Sequence, residues 1–96
     1  MSQLSYKAGQ LHIESTNLSA LAEQFGTPLY VYSKNQILAN WQKFRAFWPS
    51  QHKLCYAVKA NSNLAILQLL AQQGAWFDIV SGGELKRVLA AGGSAN

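Results

Sequence analysis

Charge is scarce in this sequence: Asp, Glu, Lys and Arg together make up 12% of the 96 residues, about half the usual share. Gln, Asn and Ser fill the polar positions instead, which argues against a charge-laced solvent helix or an acidic or basic tail. Acidic residues number four against eight basic ones, giving a formal charge of +4. The basic side chains are scattered from Lys7 to Arg87 and adjoin only at Lys86 and Arg87. No nucleic-acid surface is expected from them. Cysteine is nearly absent, and Cys55 alone cannot form an internal disulfide. The first thirty residues show no basic start followed by an apolar run and a small-residue cleavage site, so a cytoplasmic location is expected. Long apolar runs are missing too. Leu64 to Ala71 is interrupted by Gln68 and falls well below the eighteen or so residues of a membrane span. His12 and His52 stand isolated, and no metal site is expected.

What is present is a hydrophobic share of 49%, ordinary for a chain that buries a core, in a length that fits one small domain at most. Leu11-His12-Ile13-Glu14 alternates apolar with polar and predicts a short strand. Ser15-Thr16-Asn17 then offers helix caps, and Leu18, Leu21, Ala22 and Phe25 form one apolar stripe that Gly26 and Pro28 close. Leu29 to Tyr32 is aromatic and β-branched, which predicts a second strand. Ser33 and Gln36 have the spacing of a capping box. Ile37, Trp41, Phe44 and Trp48 predict the buried face of the helix that follows, up to Pro49.

Lys53 to Lys59 predicts the next strand. Asn61-Ser62-Asn63 caps a helix with Leu64, Leu67, Leu70 and Ala71 as its stripe, ending before Gly74. Trp76 to Val80 predicts another strand, and Ser81 with Glu84 caps a last helix carrying Leu85, Val88 and Leu89. Alternating strands and helices indicate the α/β class with a parallel sheet. The three apolar strands, Leu29 to Tyr32, Lys53 to Lys59 and Trp76 to Val80, are too few to cover a parallel sheet, so the chain is expected to be the front end of something larger.

Lys59 is the outlier, because it ends the apolar run Leu54-Cys55-Tyr56-Ala57-Val58, where a charge must be paired or neutralised. In the strand period of two, Cys55, Ala57 and Lys59 share one face, lined by small residues, while Leu54, Tyr56 and Val58 share the other. Active sites of parallel α/β folds assemble at the C-terminal ends of strands, so an amine there is a candidate nucleophile. Snorkelling at a strand end is the plainer alternative.

Asp78 is the second unusual residue, since aspartate is disfavoured inside a strand. It is expected either to make a polar contact near the Lys59 amine or to be tied to backbone amides. Ser81-Gly82-Gly83 could present N–H groups to a phosphate, but helix capping and a tight turn already explain it. Cys55 reads as a small buried apolar residue rather than a nucleophile.

Tyr56-Ala57-Val58-Lys59-Ala60-Asn61 resembles the lysine motif of the pyridoxal-phosphate enzymes of the alanine-racemase-like fold. Phe25 to Tyr32, Cys55 to Asn63 and Phe77 to Leu85 resemble the diaminopimelate decarboxylases in order and spacing. Ser33 departs from that pattern, where Asp is frequent. The resemblance implies a lyase in which Lys59 holds pyridoxal 5′-phosphate as a Schiff base. Burial on an apolar strand is expected to favour the neutral amine needed for that bond.

The resemblance further implies decarboxylation of meso-2,6-diaminopimelate to L-lysine, the last step of lysine biosynthesis, in a homodimeric parent. It implies the first units of a (β/α)8 TIM-type barrel at 33–96 and a segment of a second, mostly β domain at 1–32. The later cofactor ligands of the family fall outside these motifs, so the chain by itself is expected to be inactive. Two alternatives stay open: an ornithine- or arginine-type decarboxylase, and a non-catalytic remnant or binding module that keeps the lysine strand.

Overall fold

In the computed structural model, which describes residues 3–95, the chain first reverses at Ala8-Gly9, both with positive φ, 52° and 77°. Two consecutive residues of that hand make the tight hairpin whose twist matches its strands. Strand β1 (Leu4–Lys7) thus pairs antiparallel with β2 (Gln10–Ile13), Leu4 opposite Ile13 and Lys7 opposite Gln10. A second turn at Glu14, φ 54°, brings back β3 (Thr16–Asn17) with Asn17 opposite His12. The single strand predicted at 11–14 is the middle of three. Ala-Gly is a weak hairpin signal beside Asn-Gly or Asp-Gly, and the first strand escapes the pattern for that reason.

Asn17 starts helix α1 (Leu18–Phe25) as predicted, its Oδ1 accepting from the N–H groups of Ser19 at 2.8 Å and Ala20 at 3.3 Å. Gly26 closes it with φ 83°. Leu29 to Tyr32 is not a strand: the segment joins no ladder among the described residues. Side-chain propensity favours an extended backbone, but a strand also needs a hydrogen-bonding neighbour.

Helix α2 (Lys34–Phe47) begins at Ser33, whose buried Oγ accepts from Gln36 N–H at 3.0 Å and donates to Glu14 Oε2 at 3.2 Å. Only half of the capping box forms, because the Gln36 amide turns along the helix to donate to Asn40 Oδ1 at 2.9 Å. The predicted buried face is not buried. Ile37 and Trp41 are half-buried, and Phe44 and Trp48 are exposed. Periodicity marks an apolar face, whereas burial requires something packed upon it.

The residues divide into two compact units between Phe47 and Trp48. The second holds β4 (Cys55–Ala57), a 3-10 turn (Val58–Ala60), α3 (Leu64–Gln72), β5 (Trp76–Asp78) and α4 (Gly82–Ala90). β4 and β5 are parallel, with Cys55, Tyr56 and Ala57 opposite Trp76, Phe77 and Asp78. The α/β alternation and parallel pairing agree with the predicted class. Both strands are shorter than predicted, since the chain leaves the ladder at Val58 and at Ile79.

Val58, Leu67, Val88 and Ala91 form the core of this unit, with Tyr56, Phe77 and Ile79 packed against it. Ile66 and Leu70 are also buried, but Leu64, Leu85 and Leu89 of the predicted stripes are exposed. Both helices end in the same motif. After α3, Ala75 N–H donates to Leu70 O at 3.1 Å and Gly74 N–H to Ala71 O at 3.0 Å; after α4, Gly93 N–H donates to Val88 O at 2.9 Å and Gly92 N–H to Leu89 O at 3.1 Å. Gly74 and Gly92 supply the positive φ, 88° and 102°, that this Schellman geometry needs.

Gly93 is required for a different reason. A Cβ there would lie 2.4 Å from Val88 Cγ1 and 3.0 Å from Val88 O. Val88 is buried and its β-branched side chain has little freedom to move aside. Gly93→Ala is therefore expected to cost about 1–3 kcal/mol by overpacking, read as a lower urea midpoint with an unchanged slope.

Candidate active site

The strand period decides what faces where around Lys59. Val58 is fully buried and Tyr56 packs against the core, so the even-numbered residues of this segment lie under the helices. Cys55 and Lys59 are exposed and Ala57 is half-buried on the opposite side. Along β4 the predicted division of faces is present, with Cys55 and Ala57 on the side away from Tyr56. Two details differ from expectation. Lys59 lies in the 3-10 turn beyond β4 rather than on the strand, and it is exposed. The burial expected of it on an apolar strand is not found among the described residues, where its side chain is exposed. Cys55, expected to be buried, is exposed on the same sheet face.

Asp78 stands opposite Ala57 in the parallel register. Directly paired residues of neighbouring strands point to the same side of a sheet. The carboxylate therefore belongs to the Cys55–Ala57 face, at the end of the strand next to the one that leads into Lys59. It is exposed, and among the described residues it makes neither a hydrogen bond to a backbone amide nor an ion pair. Trp76, two residues before it, is exposed on this face with Lys53 Nζ 5.5 Å from its ring centroid, a cation–π distance.

Ser81 caps α4, its Oγ accepting from Glu84 N–H at 3.2 Å, while Glu84 Oε1 accepts from Val80 N–H at 2.8 Å. The carboxylate thus reaches one residue further back than a capping box requires. The capping reading of Ser81-Gly82-Gly83 accounts for these contacts. Neither His12 nor His52 belongs to a group of metal-ligating side chains, and no such group exists among the described residues.

Sequence reasoning overlooked the contacts that hold the lysine turn. Tyr56 Oη donates to Asn61 O at 2.9 Å, and Arg87 Nη1 donates to Ser62 O at 3.2 Å. Tyr56 carried a signal: a tyrosine facing a core must find a partner for its hydroxyl. Arg87 carried none, since a contact spanning 25 residues has no local signature. No helix among the described residues is long and apolar enough to cross a membrane.

Residues 34–96 match the family described as pyridoxal-dependent decarboxylase, pyridoxal binding domain. Over its whole length the chain is 57% identical to the diaminopimelate decarboxylase of Pseudomonas fluorescens, of which it spans 23%. A crystal structure from Aquifex aeolicus superposes on 95% of the chain with a TM-score of 0.89 at 48% identity, this being 23% of that chain. The diaminopimelate decarboxylase of M. jannaschii in complex with L-lysine matches 93% of the chain and 22% of its own, with a TM-score of 0.81 at 41% identity. The chain thus spans about a quarter of the length of the relatives it matches. The match encloses the lysine turn, both parallel strands and α4. The chain belongs to the pyridoxal-dependent decarboxylases, a family whose cofactor is pyridoxal 5′-phosphate, and residues 34–96 correspond to its pyridoxal-binding domain.

Proposed function

We propose that this chain, in a protein of its relatives' full length, supplies the lysine that binds pyridoxal 5′-phosphate for decarboxylation of meso-2,6-diaminopimelate to L-lysine and carbon dioxide. The observation that carries the reading is Lys59, a primary amine in the turn just beyond the C-terminal end of a parallel strand, inside the region matching a pyridoxal-binding domain. The relatives bearing the diaminopimelate decarboxylase name support the substrate over ornithine or arginine. A member of that group whose structure contains L-lysine is in keeping with the product.

The residues fit the cofactor's aldehyde and ring. Lys59 is exposed and makes no hydrogen bond or ion pair among the described residues, so its amine is open to covalent attachment. Lys59 Nζ would hold the aldehyde carbon. Cys55 and Ala57, both small, leave space on the sheet face for a planar group. Asp78, at the end of the adjoining strand, would accept a hydrogen bond or proton from Nζ. When bound, the cofactor ring supplies an electron sink for the bond to the departing carboxyl carbon.

The domain reading is that 33–96 forms the first units of a TIM-type barrel and 1–32 a segment of a second, mostly β domain. The change from an antiparallel sheet early in the chain to a parallel pair later supports it, and a structure of the full-length protein tests it. A cytoplasmic homodimer completes the reading, with light scattering on the purified protein reporting the dimer. The decisive assay supplies the full-length protein with pyridoxal 5′-phosphate and, separately, meso-diaminopimelate, ornithine and arginine. Carbon dioxide is expected from the first at least about a hundredfold faster, equivalent to roughly 3 kcal/mol of discrimination. A preference for ornithine or arginine would replace this substrate assignment.

A further inference from the structure

The turn that carries Lys59 is closed by Asn61 N–H donating to Val58 O at 3.1 Å. A 3-10 turn of this length has poor hydrogen-bond geometry and little intrinsic stability. Two side chains from different elements hold the backbone just beyond it, at successive carbonyls. Tyr56 Oη, from β4, donates to Asn61 O at 2.9 Å; Arg87 Nη1, from α4, donates to Ser62 O at 3.2 Å. The same segment runs on into α3 through Asn63 N–H to Asn61 Oδ1 at 3.0 Å and Ala65 N–H to Asn63 Oδ1 at 2.9 Å.

Each tether is anchored by packing. The Tyr56 ring meets Phe77 edge-on at 6.4 Å and 86° and lies against the Val58–Leu67–Val88 core, so its hydroxyl is presented by a rigid body. Arg87 precedes the buried Val88 on α4, which fixes the root of its otherwise exposed side chain.

We propose that Tyr56 and Arg87 are positioning residues for Lys59, holding the turn Val58–Ala60 so that the amine leaves β4 in one direction. The inference rests on Lys59 being the cofactor lysine. Lys59 has no hydrogen bond or ion pair of its own among the described residues that would fix it. Its place is therefore set by where the turn holds its Cα, with only its own side-chain torsions left to search. Loosening the turn multiplies the orientations from which Nζ must find an aldehyde, and small misplacements of a reacting group lower rates steeply. Tyr56 has the larger part, because its ring is held by the core on the strand leading into the turn.

The test uses the full-length protein freed of cofactor. In Tyr56→Phe, which keeps the ring and removes the hydroxyl, the Asn61 amide is expected to exchange its hydrogen about tenfold faster. On adding pyridoxal 5′-phosphate, the near-visible band of lysine-bound cofactor should grow about tenfold more slowly than in the parent. Arg87→Met, which keeps an apolar stem and removes every donor, should slow it by about threefold, and Arg87→Lys, which keeps a donor, should recover most of that loss. A Tyr56→Phe protein that loses melting temperature yet attaches cofactor at the parent rate overturns the proposal, since a purely structural hydroxyl would behave that way. Lys59→Ala separates the two claims. A blank in that variant with an unaltered Tyr56→Phe defeats the positioning role alone, whereas a band that survives in Lys59→Ala defeats the cofactor-lysine reading beneath it.

Discussion

Replacing Lys59 with alanine in the full-length protein is expected to abolish the near-visible absorbance of bound cofactor and to lower turnover by at least about 10^4-fold. That factor corresponds to roughly 5 kcal/mol of lost barrier reduction. Alanine removes the amine while leaving the backbone of the turn able to form, and the side chain is exposed, so the fold has little to lose. Stability should stay within about 0.5 kcal/mol of the parent, the usual range for surface substitutions. Activity lost together with the melting transition would point to a structural residue; activity lost without it identifies the nucleophile. Normal turnover in Lys59→Ala would end the assignment. Asp78→Asn belongs in the same series. It removes the charge and retains the shape of an exposed side chain, so a contact with the amine should show as a shifted pH dependence of cofactor attachment. A change in melting temperature alone would reduce Asp78 to a structural part.

The second large effect concerns the 96-residue chain on its own. It is expected to release no carbon dioxide from meso-diaminopimelate beyond what free pyridoxal 5′-phosphate achieves. Among the described residues its parallel sheet has two strands of three residues each, and parallel pairs are stable almost only when both faces are covered. On one face Cys55, Trp76 and Asp78 are exposed. The buried apolar residues among those described are Val58, Ile66, Leu67, Leu70, Val88 and Ala91. Against that small core, ordering the backbone costs about 1–2 kcal/mol for each residue. Lys59 could still meet the aldehyde, but holding a cofactor needs groups for its phosphate and ring nitrogen as well. The Ser81 hydroxyl is engaged in capping α4. Carbon dioxide release and cofactor stoichiometry, measured together on the purified chain, check this. Tight one-to-one binding with repeated turnover would show that these residues suffice.

Local chemistry was legible wherever one residue satisfies its neighbours. Asn17, Ser33, Asn63 and Ser81 were all readable as helix starts, and each accepts a backbone N–H at the start it marks. Gly26 and Gly74 were readable as ends because positive φ excludes most other residues there. The faces of β4 followed from strand parity, and Tyr56 lies against the core while Cys55 is exposed, as parity requires. Burial was less legible. Phe44, Trp48, Leu64, Leu85 and Leu89 have helical spacing and are nevertheless exposed, since spacing records which side of an element is apolar and nothing about what lies against it.

The sequence by itself determined the α/β alternation from Cys55 onward, the boundaries of its helices to within a residue or two, and the place of Lys59 just after an apolar strand. These depend on interactions among neighbours a few positions apart, whose geometry the backbone fixes. Tertiary structure decided the rest. It made Leu4–Lys7 a strand by giving it Gln10–Ile13 to pair with, and it left Leu29 to Tyr32 outside any ladder among the described residues. It ended β4 at Ala57 and set Asp78 beside it. It also tied the lysine turn to Arg87, 25 residues away from Ser62. A strand exists only with a partner and a tether only with both ends in place, so these features arise when distant segments meet and have no local pattern to announce them.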